Sequence, residues 1–383
     1  MDKKTKMKRI LSIIGARPQI IKAAALSRAV KDVFAAEVEE HILHTGQHYD
    51  SNMSAVFFEE MGIPAPDCQL SVGSGSHGSQ TAKMIAGIEE VLLSTHYDGV
   101  VLYGDTNSTL AGAVAAAKLQ VPVFHVEAGL RSYNMAMPEE QNRIVCDQLS
   151  SICFAPTQTA VDNLCREGFM DTPVVFSNGK GRMVVNSGDV MYDNSLYYAA
   201  LSASRSDILR RLELSHGDYV LATIHRDYNT DNPARLTALF QALLTIAQQV
   251  RVVLPLHPRT AGKMEQNVDA QLLQSLKKEQ NLLMVPPASF FDMIELERHA
   301  RVVMTDSGGV QKEAFFFERP CVILRPETEW VEILEHGAGV LADADTERIV
   351  TAYETLAGCQ VSFPPLFGDG HAAEHIVKQI LEY

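Results

Sequence analysis

Short apolar runs alternate with segments of helical periodicity along this chain, and that alternation leaves few folds open. In the first half the runs are "RILSII" (9–14), "EEHILHT" (39–45), "GVVLYG" (99–104), "VPVFHVE" (121–127) and "SICFAP" (151–156), with amphipathic stretches at 18–34, 78–95 and 107–119 between them. Strands that alternate with helices build a parallel sheet covered by helices. The pattern restarts after "NSGDVMYDN" (186–194). Strands are predicted there in "DYVLATIH" (218–225), "VRVVLPLH" (250–257), "NLLMVP" (281–286), "ARVVMTD" (300–306) and "PCVILRP" (320–326). Helices are predicted at 232–249, 261–276, 289–298, 308–317 and 344–357. The expected fold class is α/β, with two Rossmann-like doubly wound domains over 1–188 and 189–370 and a hinge near Gly188. The closing helix, 371–383, follows the loop "FGDGH" and is expected to pack back on the first domain. A length of 383 residues suits about two domains. Two such domains facing each other bind ligands in the central cleft, at the carboxyl ends of their strands.

Charge narrows the partners. A net charge of −14 argues against nucleic acid or an anionic membrane, because phosphate-rich surfaces want a basic field. It leaves room for a small anionic ligand in a local basic pocket. The opening "MDKKTKMKRILSIIGARP" imitates a signal peptide, but "ILSII" is too short for its apolar region and Arg17 follows at once. It reads as a basic lead-in to the first strand. No run approaches the ~18 apolar residues of a membrane span. Six cysteines are scattered without CxxC pairs, which fits thiols in a reducing cytoplasm, and neither a zinc motif nor a P-loop is present.

The chemistry should follow the strand ends. After the first strand, "GARPQIIK" has Gly15 for a tight turn, Pro18 at a helix start, and Arg17 and Lys22 near that helix terminus, a setting for an anionic group. After the third, "YGDTNSTLAG" offers Asp105; one of Asp105, Thr106 and Asn107 also has to be the N-cap of the next helix. In "HVEAGLRSYNMAMPEEQNR" (125–143), Glu127 ends a strand, and Pro138, Glu139 and Glu140 open a helix in ordinary fashion. What the ordinary roles leave unexplained is that Asp105, Glu127 and Glu139 converge at one sheet edge. Crowded carboxylates shift one another's pKa, which is how a general acid or base is tuned. In the second half, His225 and Arg226 follow one strand, and His257 and Arg259 another. "DSGGVQKEA" ends a strand and opens a helix, so that backbone N–H groups at Ser307, Gly308 and Gly309 can cradle a phosphate and Glu313 can accept from a ribose diol. "GSGSHG" (73–78) matches GxGxxG, but the preceding "PAPDCQLSV" is a poor buried strand, so the stretch reads as a flexible loop that could close over a ligand.

These motifs resemble the non-hydrolysing UDP-N-acetylglucosamine 2-epimerases, whose fold is glycosyltransferase-B-like. The resemblance covers nearly the whole chain through "GARPQIIK", "TGQH" (45–48), "GDTNSTLAG", "HVEAGLRS", "MPEEQNR", "FAPT" (154–157), "HR" (225–226), "DSGGVQKEA" and "GDG" (368–370). It implies inversion at C2 of a UDP-linked 2-acetamido sugar, UDP-GlcNAc to UDP-ManNAc, with no NAD and no metal, through elimination of UDP to a 2-acetamidoglycal and its re-addition. It implies catalytic roles for Asp105, Glu127, Glu139 and His225. Substrate contacts would come from Arg17, Lys22, Arg143, Arg226, Ser307, Gly308, Gly309 and Glu313, and a regulatory UDP-sugar contact from Gln47 and His48. It further implies a cytoplasmic homodimer serving bacterial surface polysaccharide synthesis. A related hydrolase that releases ManNAc and UDP shares the fold and the intermediate.

Three stretches depart from the family pattern. "IHRDYNT" stands where glycine-His-Arg-Arg-Glu is usual and lacks one cation, "SYNMAMPEE" differs from the common tryptophan-Pro-Glu-Glu form, and "TEWVE" places Trp330 at an arginine position. These features resemble the branch that acts on UDP-2,3-diacetamido-2,3-dideoxyglucuronic acid.

Overall fold

The structure, a computed structural model, describes residues 7–47, 63–73, 75–170 and 174–383. They form two compact units: Met1–Asn194 with Pro365–Tyr383, and Ser195–Pro364. The change of unit falls inside the helix Val190–Arg205, a few residues beyond Gly188.

Among the described residues of the first unit, seven strands make one sheet: β1 (Lys8–Ile14), β2 (Val38–His44), β3 (Cys68–Gln69), β4 (Gly99–Tyr103), β5 (Val123–Val126), β6 (Ile152–Ala155) and β7 (Met183–Asn186). Their order is β3-β2-β1-β4-β5-β6-β7, with parallel pairings such as Ile13 beside Leu102. The central strands are apolar because helices cover both faces; all five residues of β4 are buried. The helix Asn107–Lys118 reaches the sheet through alanines and Gly112, where a Cβ would strike Leu102.

The second unit repeats the plan. Its strands are β8 (Tyr219–Thr223), β9 (Arg251–Pro255), β10 (Leu282–Val285), β11 (Val302–Thr305), β12 (Cys321–Ile323) and β13 (Gly339–Leu341), in the order β10-β9-β8-β11-β12-β13. Leu236, Leu239, Phe240, Leu243 and Ile246 of the helix Pro233–Ala247 fill the core beside Val252 and Leu254. In each unit the strand order reverses once, between β1 and β4 and between β8 and β11. Carboxyl ends at such a reversal are where doubly wound sheets bind ligands.

The strands β3, β7 and β13 were not predicted. They are short and lie at or beside sheet edges, where little apolar patterning is required. The predicted single helix 261–276 is two, Pro258–Asn267 and Ala270–Lys278, because Asp269 caps the second by accepting from the N–H groups of Gln271 and Leu272. No described helix is long and apolar enough to cross a membrane.

The helix Ala372–Glu382 belongs to the first unit, where Asp193 accepts from the N–H groups of Ala372 (3.1 Å) and Ala373 (2.8 Å) and so caps it from a distance in sequence. Burial pushes the Asp193 carboxyl up, against those two bonds. Its folded pKa lies above its unfolded value, so its ionisation opposes folding as pH rises through that interval. Asp193→Ala is expected to cost about 1 kcal/mol in urea unfolding, as cap removals do. Asp193→Asn, which keeps an acceptor without a charge, should retain wild-type stability at neutral pH.

Candidate active site

The first unit brings its acids together at the β1/β4 reversal. Gly15 follows β1 at a point where a Cβ would collide with the side chains of Ser108 and Thr45. Arg17 then starts the helix Arg17–Asp32, and Gln19, buried in its first turn, accepts from the N–H of Gly15 (2.9 Å). Gln19 also donates to the carbonyl of Tyr103 (2.9 Å), which ties the β1 loop to the end of β4.

Gly104 and Asp105 follow β4. Gly104 has φ +61°, and a Cβ there would lie 3.0 Å from the Lys22 Nζ and 3.2 Å from a Glu127 oxygen, so glycine is favoured on both counts. Thr106, not Asp105, caps the next helix by accepting from Ser108 and Thr109 N–H groups. The Asp105 carboxylate is therefore available for other work: its side chain is 33% exposed, and Oδ2 accepts from Arg143 Nε (3.0 Å) and Nη2 (2.8 Å). Glu127 follows β5 with φ +70°, a left-handed conformation that costs a non-glycine residue energy and concentrates at functional sites. Its carboxylate forms an ion pair with Lys22, both being largely buried.

Glu139 and Glu140 part company on their helix, Pro138–Leu149. Neighbours on a helix point about 100° apart. Glu139 is exposed and borders a cavity of about 590 Å³ that is also lined by Arg17, Gln47, His77, Gln80, Asp105, Asn107 and Asn142. Glu140 turns inward and is fully buried. It accepts from the N–H groups of Ser132 and Tyr133 (both 2.9 Å), from the Ser132 hydroxyl and from Arg143. Burial pushes this carboxyl up, but those donors outweigh it and hold the pKa below the usual value.

Several sequence expectations change here. Arg143, predicted as a substrate contact, spends its guanidinium on Asp105 and Glu140. Gln47, predicted as regulatory, lines the cavity but has its side-chain oxygen on the Ser108 N–H and hydroxyl; His48 lies outside the described residues. The GxGxxG stretch follows only the two-residue β3, and its His77 accepts from Asn107 (3.1 Å) at the cavity. Glu140, Gln19 and His77 were missed as site residues. For Glu140 the available signal was its helical phase relative to Glu139.

The second unit has its own group at the β8/β11 reversal. Asp306, fully buried after β11, accepts from the N–H groups of His225 (3.1 Å) and Arg226 (3.0 Å) and from Asn229 (3.0 Å). It so fixes the loop that carries His225. Burial lowers the His225 pKa, with Asp306 opposing, so the ring is neutral at pH 7. Ser307 is the N-cap of the helix Gly308–Phe316 but makes no side-chain capping bond. At Gly308 a Cβ would lie 2.5 Å from a Glu329 oxygen, and Glu329 is in turn paired with Arg325 (3.0 Å). Trp330 donates to the Gly308 carbonyl (3.0 Å), and the Lys312 ammonium lies 4.2 Å from the centre of its ring. Burial pushes the Glu313 carboxyl up, with Lys312 opposing, and buried Glu297 is pushed well up by burial and by Glu313. A carboxylate that is costly to keep charged gains from hydroxyl donors.

The family model for UDP-N-acetylglucosamine 2-epimerase matches residues 32–381. The chain belongs to this family. It is an isomerase that inverts C2 of a UDP-linked acetamido sugar, built on two Rossmann-like domains of the glycosyltransferase-B-like class. Among its relatives, the UDP-2,3-diacetamido-2,3-dideoxy-D-glucuronate 2-epimerase of Pseudomonas aeruginosa is 47% identical over 97% of this chain and 99% of that one. The UDP-N-acetylglucosamine 2-epimerase of Methanocaldococcus jannaschii is 38% identical over 97% and 98%. The crystal structure of that archaeal enzyme in complex with UDP-GlcNAc and UDP superposes with a TM-score of 0.80, covering 98% of this chain and all of that one at 36% identity.

Glu140→Ala is expected to cost about 3–5 kcal/mol at pH 7, the range for breaking a buried ion pair. Because the folded pKa of Glu140 is depressed, its contribution is complete above the unfolded value of about 4.5 and is lost as pH falls through the folded one. The gap between wild type and variant in urea unfolding should therefore narrow towards pH 3.

Proposed function

We propose that this epimerase acts on UDP-2,3-diacetamido-2,3-dideoxyglucuronic acid, eliminating UDP to give the 2-acetamidoglycal and adding it back with C2 inverted. The observation that carries the substrate is the 47% identity with the P. aeruginosa enzyme over essentially both full lengths, against 38% with the archaeal UDP-GlcNAc enzyme. The loops that depart from the family pattern, "SYNMAM" and "TEWVE", lie beside the candidate groups and agree with that choice. Turnover of UDP-GlcNAc to UDP-ManNAc is the second reading, and the family match favours it.

The chemistry assigns work to the carboxylates. The C2 hydrogen is too weakly acidic to be removed alone, so its loss is coupled to departure of UDP. Inversion needs proton transfer on both faces of C2, and Asp105 and Glu139 border one cavity. Glu127, held by Lys22, is the third carboxylate and faces positive charge that develops on the sugar. In the second unit the amides at Gly308 and Gly309 take phosphate oxygens, the Ser307 N–H being held instead by the Thr305 hydroxyl (2.9 Å); Glu313 takes the ribose hydroxyls and neutral His225 serves proton transfer. Arg226, exposed in the second unit, adds positive charge for the diphosphate. A cytoplasmic homodimer is part of the same reading, with light scattering as its measurement.

Proton NMR in D2O with both UDP-sugars tests the proposal. Deuterium at C2 and an equilibrium pair of epimers are expected for the diacetamidoglucuronate substrate; faster turnover of UDP-GlcNAc would sink the substrate assignment. Accumulation of a free sugar with UDP would mark a hydrolase. Asp105→Asn should lower kcat by roughly 10²–10⁴, the usual worth of a general acid or base, and leave UDP affinity intact. Isothermal titration with UDP that shows affinity lost as well would make Asp105 a binding residue.

A further inference from the structure

Both ring nitrogens of His125 are engaged in the interior of the first unit. Nε2 lies 2.8 Å from the carbonyl oxygen of Gly104, and Nδ1 lies 2.6 Å from Asp147 Oδ1, with both side chains fully buried. A carbonyl only accepts, so Nε2 bears a hydrogen. Asp147 Oδ2 also accepts from Arg131 Nη1 (2.8 Å) and the Gly129 N–H (3.2 Å); beside that guanidinium the carboxyl is held ionised, and an ionised Oδ1 only accepts, so Nδ1 is a donor too. His125 is thus an imidazolium between Asp147 and Gly104. Its ionisation agrees: burial lowers the pKa, but the neighbouring Cys146 and Asp147 outweigh it and raise it well above the ordinary value.

The positions of these contacts matter more than the charge. Gly104 directly precedes Asp105. Gly129 lies in the turn just after Glu127, and His125 itself sits on β5 two residues before Glu127. One buried ion pair therefore holds the loops after β4 and β5 together. We propose that His125 is a positioning residue of the epimerase, a doubly donating brace that fixes the spacing between Asp105 and Glu127. This rests on the reading of those two carboxylates as groups that act on the sugar.

Two near-isosteric variants divide the brace. An asparagine amide reaches about the place of Nδ1 and keeps the Asp147 contact; a glutamine amide reaches about the place of Nε2 and keeps the Gly104 contact. His125→Asn is expected to lower kcat about 100-fold, the cost of a misplacement near 1 Å, with KM and UDP affinity within about twofold of wild type. His125→Gln should recover most of kcat. Urea unfolding runs beside the kinetics, since a merely structural role predicts that kcat per folded molecule is unchanged in both variants.

Full kcat in folded His125→Asn, or a loss shared equally by KM, would overturn the brace. If His125→Asn does not fold, His125→Leu, an apolar side chain of similar size that removes both contacts, replaces it; unchanged kcat per folded molecule there overturns the proposal equally. Asp105→Asn measured in parallel separates the two levels. Retained turnover in that variant removes the carboxylate reading itself, whereas lost turnover there with full kcat in His125→Asn removes only the brace.

Discussion

Carboxylates gathered at one sheet edge repel one another, and in the low dielectric of a half-buried site that repulsion is several-fold stronger than in water. At this edge the first unit answers with cations for Asp105, Glu127, Glu140 and Asp147. Lys22 meets Glu127, Arg143 bridges Asp105 and Glu140, and Arg131 with His125 meets Asp147. Glu139, exposed on its helix, has solvent for its screening. The basic residues of "HVEAGLRSYNMAMPEEQNR", His125, Arg131 and Arg143, thus all stand as counter-ions to acids. A net charge of −14 spread over the chain conceals this local balance.

Close approach sets the second condition. The Lys22–Glu127 pair lies against Gly104, where any side chain would intrude, and Glu127 itself sits in a left-handed conformation. Strain of this kind persists only where the surroundings over-determine it. Here they do: the Gly104 N–H donates to the Val126 carbonyl, its own carbonyl accepts from His125, and the Ala128 N–H donates to Phe154. The polar groups around the strained residue are satisfied by neighbouring strands, so the carboxylate is aimed by the sheet and not by a mobile loop.

The strand ends were legible in the sequence because buried parallel strands are nearly all apolar, and polar residues mark where they stop. Asp105, Glu127, His225 and Ser307 were found that way. Partnership was not legible. Helical phase sets Glu140 apart from Glu139, but nothing in "PEEQNR" names Ser132 and Tyr133 as its partners, or states that Arg143 reaches back across the fold to Asp105, a tertiary contact whose spacing only the sheet order sets. The cap at Thr106 was one of three candidates on propensity alone, and the geometry of the first turn decided it. The strands β3, β7 and β13 escaped because two to four residues at a sheet margin carry too little pattern to read.

Trp330 shows how a family substitution can leave the reaction class alone. An arginine at that position would bring a guanidinium towards the start of the helix Gly308–Phe316. The indole brings one N–H donor, and it points at the carbonyl of Gly308, not at a ligand. It so anchors the first helical turn while leaving that turn's N–H groups for an anion. Positive charge is not lost from the neighbourhood, because the Lys312 ammonium lies over the indole ring, where cation and π-face attract. The change gives up one cation and leaves Lys312, already part of the shared "DSGGVQKEA" motif, behind an aromatic wall. On the proposed reading, such a wall leaves the diphosphate contacts, assigned to backbone N–H groups, as they are. What it alters is the shape and charge presented to whatever lies beside the phosphate, which is where sugars of one class differ from one another.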